Sequence, residues 1–189
     1  MKIVLAQGNP EPDYASTRHN VGWILLDLYA AKHGVLFKPE KKFFADIATL
    51  SLADEKVLLV KPTTFYNETG RTARALVDFY KLVPSNDLIV LHDDIALPLG
   101  TVRIRPSGSD AGNNGIKSLT AHLGPDYWRI RVGVHDDTRP QTGAVNFVLG
   151  TLTKTSLETI KKDILPYVET TLTTFIDGSI ASSSVIVPS

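Results

Sequence analysis

The chain has 189 residues and a mass of 20.7 kDa, which suits one domain and allows roughly 70% of the unfolded surface to be buried on folding. Lys and Arg number 20, as do Asp and Glu, for a formal net charge of zero; this excludes a protein that holds nucleic-acid phosphates through overall basicity and leaves room for a local basic stripe. With no cysteine, disulfides, thiolate zinc sites and a cysteine nucleophile are excluded.

The opening run Lys2–Ala6 is apolar and of strand length, and it stops at Gly8-Asn9-Pro10. It is too short for the core of a signal peptide, and no stretch approaches the ~18 apolar residues of a membrane span, so a cytoplasmic location without membrane contact is expected. From Thr17 to His33 the recurrence of Val21, Ile24, Leu25, Leu28 and Ala31 predicts a helix stopped by Gly34. Phe43–Leu50 and Val57–Lys61 predict a strand pair turning near Asp54-Glu55. Thr69–Leu82 predicts a second helix with Ala73, Leu76, Val77 and Tyr80 on one face, and Leu88–Leu91 a short strand running into His92-Asp93-Asp94. Beyond Pro98 and Gly100, the alternation of Thr101–Arg105 predicts a strand, Ser107–Asn113 a loop, Gly115–Leu123 a short helix and Trp128–Val134 another strand. The last helical pattern covers 153–176, with Leu157, Ile160, Ile164, Val168, Leu172 and Phe175 as its stripe, and Pro166 is expected to kink or break it.

Strands alternating with helices predict a single α/β domain over 1–178, with a mixed, largely parallel central sheet flanked by helices on both faces. The serine-rich stretch from Ser179 predicts a flexible tail over 179–189. Ligands of such sheets gather at the carboxyl ends of strands, and the chemistry-bearing residues of this chain cluster there. His19 follows the loop after the first strand. A lone histidine in that place reads most simply as a surface or capping residue, but a helix N-terminus disfavours the imidazolium and suits a general base. Asp93 would be its orienter if the fold brings them together, fixing the tautomer and leaving Nε2 to deprotonate water; otherwise it caps its own turn. Asp94 reads as structural and His92 as a strand-end residue. A metal site from His92, Asp93 and Asp94 is disfavoured, because three adjacent strand residues do not converge on one ion. Asn9, Asn67 and Asn114 each serve as ordinary turn residues, yet all offer a neutral donor and acceptor suited to amide carbonyls and to a developing oxyanion. No phosphate loop, dinucleotide fingerprint, nucleophile elbow or H-E-x-x-H motif occurs. Direct hydrolysis by activated water therefore fits better than a covalent route.

Several segments together resemble the bacterial peptidyl-tRNA hydrolase family: Gly8-Asn9-Pro10, Thr17-Arg18-His19-Asn20-Val21-Gly22 after Tyr14, Pro62-Thr63-Thr64-Phe65-Tyr66-Asn67, His92-Asp93-Asp94 with Leu97-Pro98-Leu99-Gly100, Asn114-Gly115-Ile116-Lys117-Ser118-Leu119, Arg129-Ile130-Arg131-Val132-Gly133 and Phe147-Val148-Leu149-Gly150. The resemblance is collinear from about residue 2 to 178. It implies a monomeric, metal-independent α/β enzyme without a cofactor that cleaves the ester between peptide and tRNA. By the same resemblance His19 activates water, Asp93 stabilises its proton-accepting form, and Asn9 recognises the acylated amino group. Asn67 and Asn114 hold substrate and stabilise the oxyanion, Tyr14 and Phe65 line the acceptor-end pocket, and Arg103, Arg105 and Arg131 contact tRNA phosphate. The alternative is a catalytically inactive RNA-binding relative; the retained set of Asn9, His19, Asn67, Asp93 and Asn114 argues against it. A metal-dependent phosphoesterase would need a carboxylate and histidine cluster that the sequence lacks.

The chain departs from the family pattern at Asn113, where a histidine is more usual, at Tyr66, where methionine is, and at Asp94, where glutamate is. Residues 95–135 carry five basic residues against two acidic ones, whereas 164–189 contain Glu169 and Asp177 and no Lys or Arg. Net neutrality thus hides a local basic patch beside the proposed site.

Overall fold

The most continuously apolar runs of the sequence become three of the four central strands, because a strand covered by helices on both faces must be largely apolar. In the computed structural model, which describes residues 1–135 and 143–187, the strands are β1 (Lys2–Ala6), β2 (Lys38–Glu40), β3 (Ala45–Leu52), β4 (Glu55–Pro62), β5 (Leu88–Pro98), β6 (Thr101–Arg105), β7 (Trp128–His135) and β8 (Ser183–Ile186). The helices are α1 (Val21–Lys32), α2 (Thr69–Tyr80), α3 (Pro84–Asp87), α4 (Asn114–Leu123), α5 (Ala144–Val148), α6 (Lys154–Thr159) and α7 (Leu165–Asp177). All the strands lie in one sheet of order β2-β3-β4-β1-β5-β7-β6-β8. β4, β1, β5 and β7 pair in parallel, and the pairs outside them are antiparallel. The sheet is mixed, with parallel pairing confined to its centre.

Alternate residues of β1, β4 and β5 feed two cores, and β7 feeds one of them. Val4, Leu59, Ile89, Leu91, Ile130 and Val132 pack with Leu25 of α1 and with Val168, Leu172 and Phe175 of α7. Ile3, Leu5, Leu58, Val60, Leu88 and Val90 pack with Ala73 and Leu76 of α2 and Ile116 and Leu119 of α4. Burying side chains of this size stabilises the fold by about 1.5–3 kcal/mol each, and the two-sided arrangement satisfies the helix stripes and strand alternation together. Among the described residues, no helix is long and apolar enough to cross a membrane.

Three departures from the sequence-based expectations shape the molecule. β5 does not stop at Leu91 but continues to Pro98, pairing His92, Asp93 and Asp94 with Arg131, Val132 and Gly133 of β7 before a register shift. The polar triplet is therefore strand, not loop. Its side chains alternate between faces, which charge alone conceals from a periodicity reading. A side chain at Gly133 would collide with the Pro98 carbonyl, so only glycine allows that irregular crossing. Second, Pro166 does not break the C-terminal helix. It sits in the first turn of α7, where its missing N–H costs least, and a π turn over Ile160–Ile164 joins α6 to α7. Third, the tail expected to be loose contains β8, antiparallel to β6 with Val185 opposite Val102. Val187 is buried and Val185 packs against the core, so two valines among serines suffice to fasten this edge.

Candidate active site

The segments that carry Asn9, His19, Tyr66 and Asp93 meet at the carboxyl end of β1, β4 and β5. α1 reaches it by close packing: a Cβ on Gly22 would lie 2.8 Å from the Leu91 carbonyl and 2.9 Å from that of Gln7, so only a glycine lets the helix start so near the strand ends. The 3-10 turn Arg18–Asn20 precedes it. The turn is fixed by Asn20, whose side chain accepts from the Asn9 N–H at 2.9 Å and donates to the Asn9 carbonyl at 3.0 Å. His19 is thereby held over β5, with Nδ1 3.0 Å from Asp93 Oδ1. The approach is within ion-pair range but off the axis of a hydrogen bond. His19 keeps 14% of its side-chain surface exposed, against 2% for Asp93.

The Tyr66 ring lies flat on the His19 ring, with centroids 3.4 Å apart and planes 13° from parallel. Tyr66 donates its hydroxyl to Asp93 Oδ1 at 2.5 Å. Asn113 Nδ2 donates to the Tyr66 hydroxyl at 3.0 Å and lies 3.3 Å from both Asp93 Oδ1 and the Asp93 carbonyl. Burial first, then the Asp93 charge, pushes the Tyr66 hydroxyl well above the ordinary tyrosine range, so it remains a donor. Asn9 accepts from the Tyr66 N–H through Oδ1 at 2.8 Å, which anchors the turn Tyr66–Glu68 to the end of β1.

His92 and Asp94 lie one residue either side of Asp93 and project to the other face of β5. Nδ1 of His92 donates to the Asp93 carbonyl at 2.8 Å, and burial lowers its pKa to about 4; the ring is neutral. Asp94 pairs with Arg131, at 2.6 Å to Nη2 and 2.7 Å to Nε. The three adjacent polar residues thus serve three different partners, and among the described residues no group of His, Asp and Glu is placed to hold a metal ion.

A cavity of about 360 Å³ opens beside this pair. Its walls include His19, Asp93, Asn114, Arg105 and Arg131 among the residues expected from sequence. Asn9, Tyr14, Phe65, Asn67 and Arg103 are not on its walls; Asn9 is buried under the Tyr66 turn, Phe65 is 56% exposed on the surface, Tyr14 is half-buried and Asn67 exposed. The structure adds Arg129 and the apolar side chains Val145, Val148 and Leu149 to the lining. The segment that bears them is fastened to the His19 turn: Thr17 bridges to Thr151, the Arg18 N–H donates to the Gly150 carbonyl at 3.0 Å, and the Arg18 guanidinium lies 4.4 Å over the Phe147 ring.

The basic residues form a stripe. β6 and β7 place Arg103 opposite Arg131 and Arg105 opposite Arg129, while Val102, Ile104, Ile130 and Val132 fill the core behind them. Like charges directly opposite each other on a sheet destabilise it. Asp94 offsets one of the four; Arg105 donates to the Ser183 carbonyl at 2.8 Å, and the buried Arg129 to the Ser109 carbonyl at 2.9 Å. Burial lowers the proton affinity of Arg129. In the sequence its involvement is signalled only by its alternation with Arg131, and nothing there signals Tyr66 or Asn113 as partners of Asp93.

Fold and site together define an α/β protein with a His–Asp pair at the strand ends, a cavity beside it and a row of arginines along one wall. The profile of the peptidyl-tRNA hydrolase family matches residues 3–185, and the chain belongs to that family. It is 44% identical over 165 residues to the peptidyl-tRNA hydrolase of Desulfitobacterium hafniense, covering 86% of each chain, and 44% identical over 154 residues to that of Lactiplantibacillus plantarum, covering 81% of each. The crystal structure of peptidyl-tRNA hydrolase from Acinetobacter baumannii superposes with a TM-score of 0.86 over 94% of this chain and 89% of that one, at 24% identity, which shows a shared fold.

Proposed function

We propose that this protein hydrolyses the ester between peptide and tRNA in peptidyl-tRNA, using water activated by His19. The observation that carries the reading is the His19–Asp93 pair on the wall of a cavity flanked by arginines, in a chain whose relatives bear that enzyme's name. With Nδ1 turned to the carboxylate, Nε2 is the nitrogen left to take a proton from water. The hydroxide so formed attacks the ester carbonyl, and the same proton passes to the departing ribose oxygen as the tetrahedral intermediate collapses. Amide donors suited to the developing oxyanion are Asn114 on the cavity wall and Asn9, whose Nδ2 has no acceptor among the described residues. Asn67, Tyr14 and Phe65, outside the cavity, suit the substrate's flanks. The paired arginines suit phosphates, whose charge would relieve their mutual repulsion. The reading as an RNA-binding relative without hydrolysis finds no support in the relatives.

The test is release of an N-blocked amino acid from tRNA, run with and without a chelator. Release at equal rates in both arms is expected, and failure to release would overturn the proposal. Arg105→Gln is expected to weaken tRNA binding and reduce the slope of log affinity against log salt by on the order of one, because a protein that neutralises one phosphate fewer releases one counterion fewer on binding. An unchanged slope would remove Arg105 from the tRNA interface.

A further inference from the structure

Three polar groups crowd one oxygen of Asp93. Tyr66 O–H holds Oδ1 at 2.5 Å, His19 Nδ1 stands 3.0 Å away, and Asn113 Nδ2 stands 3.3 Å away while also bonding the Tyr66 hydroxyl. The shortest and best-aligned of these contacts is not the histidine's. An oxygen already holding a strong donor is a weaker acceptor for the next one, so Tyr66 draws charge from the atom that His19 faces. The tyrosine does a second thing through its ring: the flat 3.4 Å stack limits rotation of the imidazole. Asn113 locks the tyrosine in turn. Its Oδ1 caps α4 by accepting from the Ile116 N–H at 3.0 Å, so the direction of Nδ2 is set by a helix rather than by a free loop. The two residues that touch each other here are also two of the positions where the sequence departs from the family pattern.

We propose that Tyr66 and Asn113 are positioning residues of the His19–Asp93 pair, the hydroxyl and amide holding the carboxylate and the phenol ring holding the imidazole. Tyr66, which is not on the cavity wall, acts through Asp93 and His19; Asn113 is on the wall and holds the pair through its Nδ2. The arrangement moderates the pull of Asp93 on a protonated His19 and fixes the direction of the ring, so that the histidine is available as a base. Other charged or titratable groups nearby are His92 and Asp94 on β5, Arg129 and Arg131 on β7, and Arg18 on the turn of His19 itself. Each has its own partners described above, and neither of the substitutions that follow touches them. The proposal rests on the reading of His19 as the base, but its main readout does not.

Tyr66→Phe keeps the ring and removes only the hydroxyl. The midpoint of the His19 ring-proton titration, followed by NMR without substrate, is expected to rise, because Asp93 then offers its full charge to the imidazolium. Asn113→Ser, which retains an oxygen for capping Ile116, is expected to move it the same way by less. In turnover, the acid limb of kcat/KM should follow the titration upward while KM for tRNA stays constant. An unmoved His19 midpoint in Tyr66→Phe, in a variant with the wild-type circular dichroism spectrum, overturns the proposal even if the enzyme is an active hydrolase. Absence of activity in the wild type would instead overturn the hydrolase reading and leave the NMR result to stand alone.

Discussion

His19→Ala is expected to lower kcat for peptidyl release by at least about 10²-fold while tRNA binding stays within a factor of about three. A positioned base contributes about 10²–10⁴-fold, and no other described side chain is placed beside Asp93 to replace this one. His92 cannot substitute: it is buried, its Nδ1 is tied to the Asp93 carbonyl and its pKa is lowered to about 4. The substitution is structurally mild. His19 is in a turn rather than in a core, and the Tyr66–Asp93 bond at 2.5 Å survives without it. A fall in kcat with KM unchanged is the pattern of an interaction made in the transition state alone. Near-normal release by the variant, measured with an N-blocked aminoacyl-tRNA, would exclude His19 as the base.

The route from sequence to site is open at some residues and closed at others for physical reasons. Apolar runs at 2–6 and 57–61 and the alternation over 128–134 carry their own strand signal, which matches what the sheet shows. β5 reads as only four residues in the sequence because His92, Asp93 and Asp94 break the apolar run; in the sheet His92 binds the neighbouring Asp93 carbonyl while the two carboxylates find Tyr66 and Arg131, partners distant in sequence. β2 has only three residues and an exposed face, too little for any period to register. At the site, His19 and Asp93 are recognisable as types suited to acid–base chemistry and are brought together by the close approach of Gly22 to β5. Tyr66 stands out in the sequence only as an unusual residue. Its partnership with Asp93 spans 27 residues of chain, and no local pattern encodes a contact of that kind. The arginines show the opposite: alternation at 103, 105, 129 and 131 is visible, but their face-to-face pairing follows from the register of β6 on β7.

Asp93→Asn is expected to cost about 10²-fold or more in kcat and to leave the protein at least as resistant to denaturation as the wild type. The two halves of this expectation come from one fact, the burial of a carboxylate at 2% exposure. A buried charge is expensive to desolvate, and a neutral isostere that keeps the same hydrogen-bond acceptor avoids that cost. Asparagine can still accept from the Tyr66 hydroxyl and from Asn113, so the local bonds persist if its oxygen takes the place of Oδ1. What disappears is the negative charge that favours an imidazolium 3.0 Å away, and with it the stabilisation of His19 as it takes the proton. The pH profile supplies the sign. Removing the charge makes His19 harder to protonate, so the acid limb of kcat/KM moves to lower pH even as the plateau falls. Tyr66→Phe moves the same limb upward, since it strengthens the pull of the same oxygen. Opposite displacements from two substitutions on one hydrogen bond would be difficult to produce by general loosening of the site, which shifts both in one direction. A plateau within a factor of about three of the wild type in Asp93→Asn, in the release assay at pH 7–8, would mean that His19 works without its carboxylate.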